Sequence, residues 1–435
     1  MLSPTDPGGH VRTRLRSITH LVRFIGTSEW VYVAALAGFV VGLLPALLHF
    51  SAGMTAALAV SGVLVGAVLA VRDTLSLLGR WSEWTMRRRQ SPIDFRRPLV
   101  APALPVVVGT PAGRVALDPA LDLELMTATC TVRWSETTYA LPPSLAAIAP
   151  YVLRRSSQGR WPFNGPNVSL ATDVTRDSVV AGAEVLMRAG DFYSALCSNE
   201  LTGWVLSRDG DEVRFWDRYL FDARGRLTSL NVSELNNGVG VSTLAVTTDD
   251  VLVVTLQSAR AQTAAGQWAP SGSGALEPRD VVRDGTDPLV EAVRRGAERE
   301  LMEETRIPRA AIGRTVVIGH SRWFDRGGKP EFYCVTALTV SAAELGRQGQ
   351  VHAPLSEERL WTASRNTVRL DLAVDAAAMP DPSATGERPP CWRQAGLVPG
   401  SSLLDDSVSL SLDVALDALA RRLAVTPGLL DDLRA

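Results

Sequence analysis

The rhythm of apolar positions changes along the chain, and each change predicts a different kind of element. Residues 30–48 and 53–71 are apolar with no charged side chain among them. Each run is close to the ~20 residues that cross a ~30 Å hydrocarbon core as a helix. Only 49–52 separate the runs, so together they predict a transmembrane helical hairpin over 30–71, preceded by a basic segment at 1–29. Over 72–97, Leu75, Leu78, Trp81 and Trp84 are interleaved with arginines, the pattern of an interfacial or linker helix. Pro92, Pro98, Pro102 and Pro105 then mark a boundary.

From 98 to 240 the pattern is mixed. β-like runs at 105–108 and 212–216 stand beside a helical candidate at 177–186. The pairs Asn164-Gly165, Asp209-Gly210 and Arg224-Gly225 read as turns. This stretch predicts an α/β extension with no chemical signal of its own. From 241 to 435 the periodicity sharpens. β-branched runs at 244–247 and 251–256 flank Asp249-Asp250 as a hairpin, and further strands are expected at 314–319 and 333–340. Val290, Val293, Ala297 and Leu301 form one helical stripe, and a last helix covers 412–423. The fold class is therefore α+β.

Charge adds topology. Arg12, Arg14, Arg16 and Arg23 precede the apolar pair, and Arg72, Arg80, Arg87, Arg88 and Arg89 follow it. By the positive-inside rule both termini and everything after the hairpin are expected in the cytoplasm of a two-pass membrane protein, with the lipid bilayer as a partner. The net charge of the 435 residues is −2, which gives no case for nucleic-acid binding. The four cysteines, Cys130, Cys197, Cys334 and Cys391, form no CxxC pair, which argues against a zinc site or a disulfide framework. Lys329 is the only lysine. A homo-oligomer is compatible with the composition.

The candidate chemistry lies in 285–307. On a helix, Glu300, Glu303 and Glu304 stand at i, i+3 and i+4, so three carboxylates crowd one face. Their repulsion is relieved if a hard divalent cation sits among them, because Mg2+ prefers oxygen ligands. Gly285, Glu291, Arg299, Glu300, Leu301, Glu303, Glu304 and Ile307 match the spacing of the Nudix box, which the segment resembles; Arg306 stands where the box has its final glycine. The resemblance implies a Nudix-type mixed-sheet α/β/α sandwich. It also implies Mg2+ (or Mn2+) bound by Glu300, Glu303 and Glu304, with Glu300 as base and Arg299 bracing the carboxylates. The implied substrate is nucleotide-type: a nucleoside diphosphate linked to another moiety.

Two alignments of the glycine-rich segment remain open. In one, Glu291 serves the metal. In the other, Gly274 and Glu277 do, with an insertion over 279–285. Asp287 and Pro288 read as an N-cap and first helical position. From there Glu291 lies nine residues before Glu300, about 180° around the helix, which favours Gly274 and Glu277. Arg322, Trp323, Arg326 and Lys329, in an expected loop, offer cations and a ring to a nucleotide. Glu357 and Glu358 fall where a further metal-binding or basic carboxylate is often found in the family. The alternative to an enzyme is a catalytically weak Nudix-like nucleotide sensor that signals to the hairpin.

Overall fold

The computed structural model describes residues 84–88, 104–156, 164–213, 215–258, 264–347, 362–381, 383–399, 404 and 407–435. The expected transmembrane hairpin at 30–71 and the carboxylates Glu357 and Glu358 lie outside the described residues. Among those described, no helix is long and apolar enough to cross a membrane.

The chain divides into two compact units, and the architecture is mixed α+β with several sheets. In the first unit, Trp84–Arg88 pairs antiparallel with Trp204–Arg208, which pairs in turn with Asp211–Val213. Trp84–Arg88 is thus a strand in the middle of the 72–97 stretch expected to be helical. Within it Met86 is buried, and Arg87 reaches Glu212 at 2.9 Å. The Asp209-Gly210 turn forms as the sequence suggests, both residues having positive φ.

The second unit is built on a ten-stranded sheet. Its strands are β1 (Val106–Thr110), β2 (Gly113–Leu117), β3 (Gly240–Val246), β4 (Val251–Gln257), β5 (Trp268–Ala269), β6 (Gly272–Ala275), β7 (Ile312–Trp323), β8 (Lys329–Leu338), β9 (Thr362–Arg369) and β10 (Gly386–Arg388). The order is β5-β4-β3-β8-β7-β2-β1-β10, with β6 paired to β3 and β9 to β4. β3 and β8 run parallel; β7 and β8 form a long antiparallel hairpin. The division expected at residue 240 is not a boundary of this sheet, because β1 and β2 extend it through β7. A separate three-stranded sheet joins Thr131–Ser135, Glu184–Asp191 and Pro166–Leu170. The helix expected at 177–186 is only Arg176–Val180; Gly182 turns the chain at φ 63°, and a strand begins at Glu184.

Helices α1 (Pro119–Glu124), α2 (Leu289–Thr305) and α3 (Leu410–Val425) complete the frame. Alternation along the strands assigns the faces. Val241, Phe332 and Cys334 pack with Leu289, Ala292, Val293 and Ala297 of α2. Leu244, Tyr333 and Val335 pack with Leu412, Leu416 and Leu419 of α3. Each such fully buried aliphatic side chain contributes about 1.5–3 kcal/mol of transfer free energy, so the sheet is clamped from both sides.

Candidate functional site

The site is set by how closely β6 approaches α2. A Cβ on Gly272 would stand 2.5 Å from the Leu301 backbone nitrogen, and one on Gly274 would stand 2.2 Å from the Glu300 carboxyl carbon. At Gly272 the obstacle is backbone and only glycine allows the approach, whereas a side chain at Gly274 would displace the Glu300 carboxylate. Gly296 on α2 plays the reciprocal part, since a Cβ there would meet the Leu276 side chain at 2.6 Å.

Arg299 is the hub. Its guanidinium donates to Glu300 Oε1 at 2.8 Å, Glu303 Oε2 at 3.1 Å, Asp280 Oδ2 at 2.8 Å and the Ala275 carbonyl at 2.7 Å. It also lies 3.8 Å from Glu277 Oε1. Burial alone would lower its pKa, but the Glu300 and Asp280 carboxylates outweigh that and hold it above its ordinary value. A second guanidinium, Arg279, pairs with Glu277 at 2.7 Å and Glu303 at 3.1 Å. Glu304 is buried one helical turn beyond Glu300.

Gly274, Glu277, Glu300, Glu303 and Arg299 are thus brought together. Glu291 is not part of that set. The helix begins at Leu289, and Glu291 pairs with Arg294, which also holds Glu298. Asp287 does not cap the helix as expected; it accepts from the Val282 backbone nitrogen and pairs with Arg295. Arg306 ends the helix in the left-handed conformation, φ 58° and ψ 20°, which ordinarily favours glycine.

Asp280 is the participant that sequence reasoning missed. It caps its own turn by accepting from the Glu277 backbone nitrogen, and it braces Arg299. Pro278 followed two residues later by an acid was the available signal.

The hairpin residues are arranged otherwise than expected. The strands run to Trp323 and resume at Lys329, so Arg322, Trp323 and Lys329 lie in strands, and the loop is only 324–328. Arg322 is buried and donates to the Gly328 and Thr228 carbonyls; burial pushes its pKa down to about 10, against the pull of Asp173. Lys329 pairs with buried Glu331 at 2.6 Å, and Glu331 also accepts from Ser242. Trp323 donates to the Tyr333 hydroxyl, with Arg326 and Lys329 near its ring. By alternation Lys329 and Glu331 share the Tyr333 face of β8, opposite to α2. Arg322 and Lys329 are spent on internal partners rather than offered to a ligand beside Glu300.

Whether a divalent cation fits can be asked of the donor set. Glu277, Asp280, Glu300 and Glu303 supply four carboxylates against the two guanidinia of Arg279 and Arg299. The excess of two negative charges and the all-oxygen chemistry suit one hard divalent ion, but the Glu300 carboxylate itself fills the space beside the Gly274 backbone. Among the described residues, however, no three His, Cys, Asp or Glu are grouped closely enough to hold a metal ion. The two arginines stand between the carboxylates.

No family model matches the chain, and no curated protein matches it. Among solved structures it is similar to the crystal structure of DR0079 from Deinococcus radiodurans. That match is 16% identical, covers 34% of this chain and 80% of that one, and has a TM-score of 0.20. A likeness this distant carries no argument about function.

Proposed function

We propose that the chain is a Nudix-like pyrophosphohydrolase, carried on a two-helix membrane hairpin with both termini cytoplasmic. It would cleave the pyrophosphate of a nucleoside diphosphate linked to another moiety. The observation that supports this best is the junction of β6 and α2, where a side-chain-free backbone meets the Glu300 carboxylate and Arg299 aligns Glu300 with Glu303. Glu300 and Glu303, with Glu277 and Glu304, would hold Mg2+ or Mn2+, which when bound neutralises phosphate charge and polarises the phosphoryl oxygens. Glu300 would take the proton of the attacking water as the new phosphorus–oxygen bond forms and the bridging oxygen leaves. Arg299 and Asp280 keep those carboxylates in register. Carboxylates this close titrate as a coupled set.

The test is a panel of nucleoside-diphosphate compounds with full-length protein and Mg2+, read by separating the phosphate-containing products. Wild type should turn over at least one class, and Glu300→Gln should not. A second reading, a nucleotide sensor without turnover, is favoured by the two arginines that occupy the carboxylates. Tight nucleotide binding with equally negligible turnover in wild type and Glu300→Gln would establish it. Reporter fusions at residues 10 and 95 test the topology. A signal from outside the cytoplasm at either position would overturn it.

A further inference from the structure

We propose that Asn164 is a self-modifying site: the Gly165 backbone nitrogen attacks its side-chain amide, and the pair converts to an aspartyl or isoaspartyl link while the chain's other Asn-Gly pair stays intact. The reaction needs neither a metal nor the carboxylates where β6 meets α2.

Asn-Gly occurs twice, at Asn164-Gly165 and Asn237-Gly238. A glycine in second place leaves its backbone nitrogen uncrowded by a Cβ, so both pairs carry the same intrinsic chemistry. The glycine nitrogen bonds to the asparagine Cγ, its proton passes to solvent, and the amide nitrogen leaves as ammonia. Water then opens the five-membered imide at either carbonyl. One opening gives aspartate and the other a β-linked isoaspartate. Nothing is oxidised or reduced, and water is the only co-reactant.

The fold treats the two pairs differently. Asn164 and Gly165 are both partly exposed, so water reaches them. Asn164 Oδ1 accepts from the Tyr193 backbone nitrogen at 2.8 Å, in the short helix Phe192–Leu196. An N–H placed on the oxygen of a carbonyl under attack stabilises the negative charge that develops there. Asn237 is 1% exposed and stands in the left-handed region at φ 52°. Its Nδ2, the leaving group, donates to the Leu235 carbonyl at 3.1 Å, and its own carbonyl accepts from the Leu170 nitrogen at 3.0 Å. Turning the Asn237–Gly238 peptide to close the ring would break that second bond. Gly238 is packed against the Asn167 side chain, which a Cβ there would meet at 3.1 Å.

Conversion at Asn164 adds one negative charge. The isoaspartyl form also inserts a methylene into the main chain just before strand Pro166–Leu170, whose pairing with Glu184–Asp191 starts at Pro166.

Incubation of the full-length protein in heavy-oxygen water near neutral pH tests this, because hydrolysis of the imide writes the label into the product. Peptide mass spectrometry then counts label at each pair, in native protein and in concentrated urea, with Asn164→Gln alongside. In native wild type, Asn164 should convert no slower than about a third of its rate in urea. Asn237 should convert at least ~30-fold more slowly in native protein than in urea, because a fully buried pair reacts only when it opens. Asn164→Gln should leave its peptide unlabelled, since the longer side chain must close a less favourable ring. A slower native rate at Asn164, or native rates at the two pairs within about threefold of each other, would overturn the inference. So would label in the Asn164→Gln peptide.

Discussion

Where β6 meets α2, four carboxylates share two guanidinia, and one of those guanidinia is largely exposed. At the turn end of β7 and β8, cations and acceptors are matched within the fold: Lys329 with Glu331, and Arg322 with two carbonyls and Asp173. The side-chain types are the same, and both regions read as candidate chemistry in the sequence. Their charge balance differs. The hairpin is neutral and closed, as buried charges must be if they are not to cost several kcal/mol each. The junction keeps an excess of negative charge, a feature that stability alone does not require.

That contrast can be broken most severely from the hairpin side. Lys329→Met leaves the Glu331 carboxylate buried without its counter-charge and should destabilise the protein by about 3–5 kcal/mol, measured from the denaturant midpoint. A loss under about 1 kcal/mol, the usual worth of an exposed pair, would show that the pair is solvated and that the two regions do not differ in kind. Next in size, Glu300→Gln should lower turnover at least ~100-fold, about 2.7 kcal/mol, with the thermal midpoint near that of wild type. Loss of fold instead of activity would make the junction a second structural cluster.

Smaller effects sharpen the boundary of the site. Arg306→Gly relieves a left-handed arginine and should stabilise the protein by about 1 kcal/mol without changing turnover, read by thermal unfolding beside the activity assay. Smallest of all, Glu291→Gln should change turnover by less than about threefold, ~0.7 kcal/mol. A drop comparable to that of Glu300→Gln would move the site to the other flank of α2.

The parts of the molecule legible in the sequence are those whose cause is local. The stripe Val290, Val293, Ala297 and Leu301 and the acids at i, i+3 and i+4 are properties of one helix, and α2 forms within two residues of the expected start. The β4 strand and its turn at Asp250 follow from β-branched residues around a short polar pair. The 320–323 segment was misread as loop because His320, Ser321 and Arg322 are polar. Arg322 can be buried because of an acceptor far away in sequence, the Thr228 carbonyl, 94 residues off, and the His320 backbone nitrogen is met by Asp122 from α1. The Asp280–Arg299 brace, 19 residues apart, was hidden in the same way. The entry of β1 and β2 into the main sheet is a long-range pairing with β7 that no local pattern encodes.

The seclusion of Lys329 has a practical side. Because the chain contains no other lysine, an amine-selective reagent meets one ε-amine, and that amine is closed off beside Glu331 and Trp323. The rate at which the Lys329 peptide acquires label would then count the openings of β7 and β8. The molecule carries its own single-site clock for local unfolding, with no engineered probe.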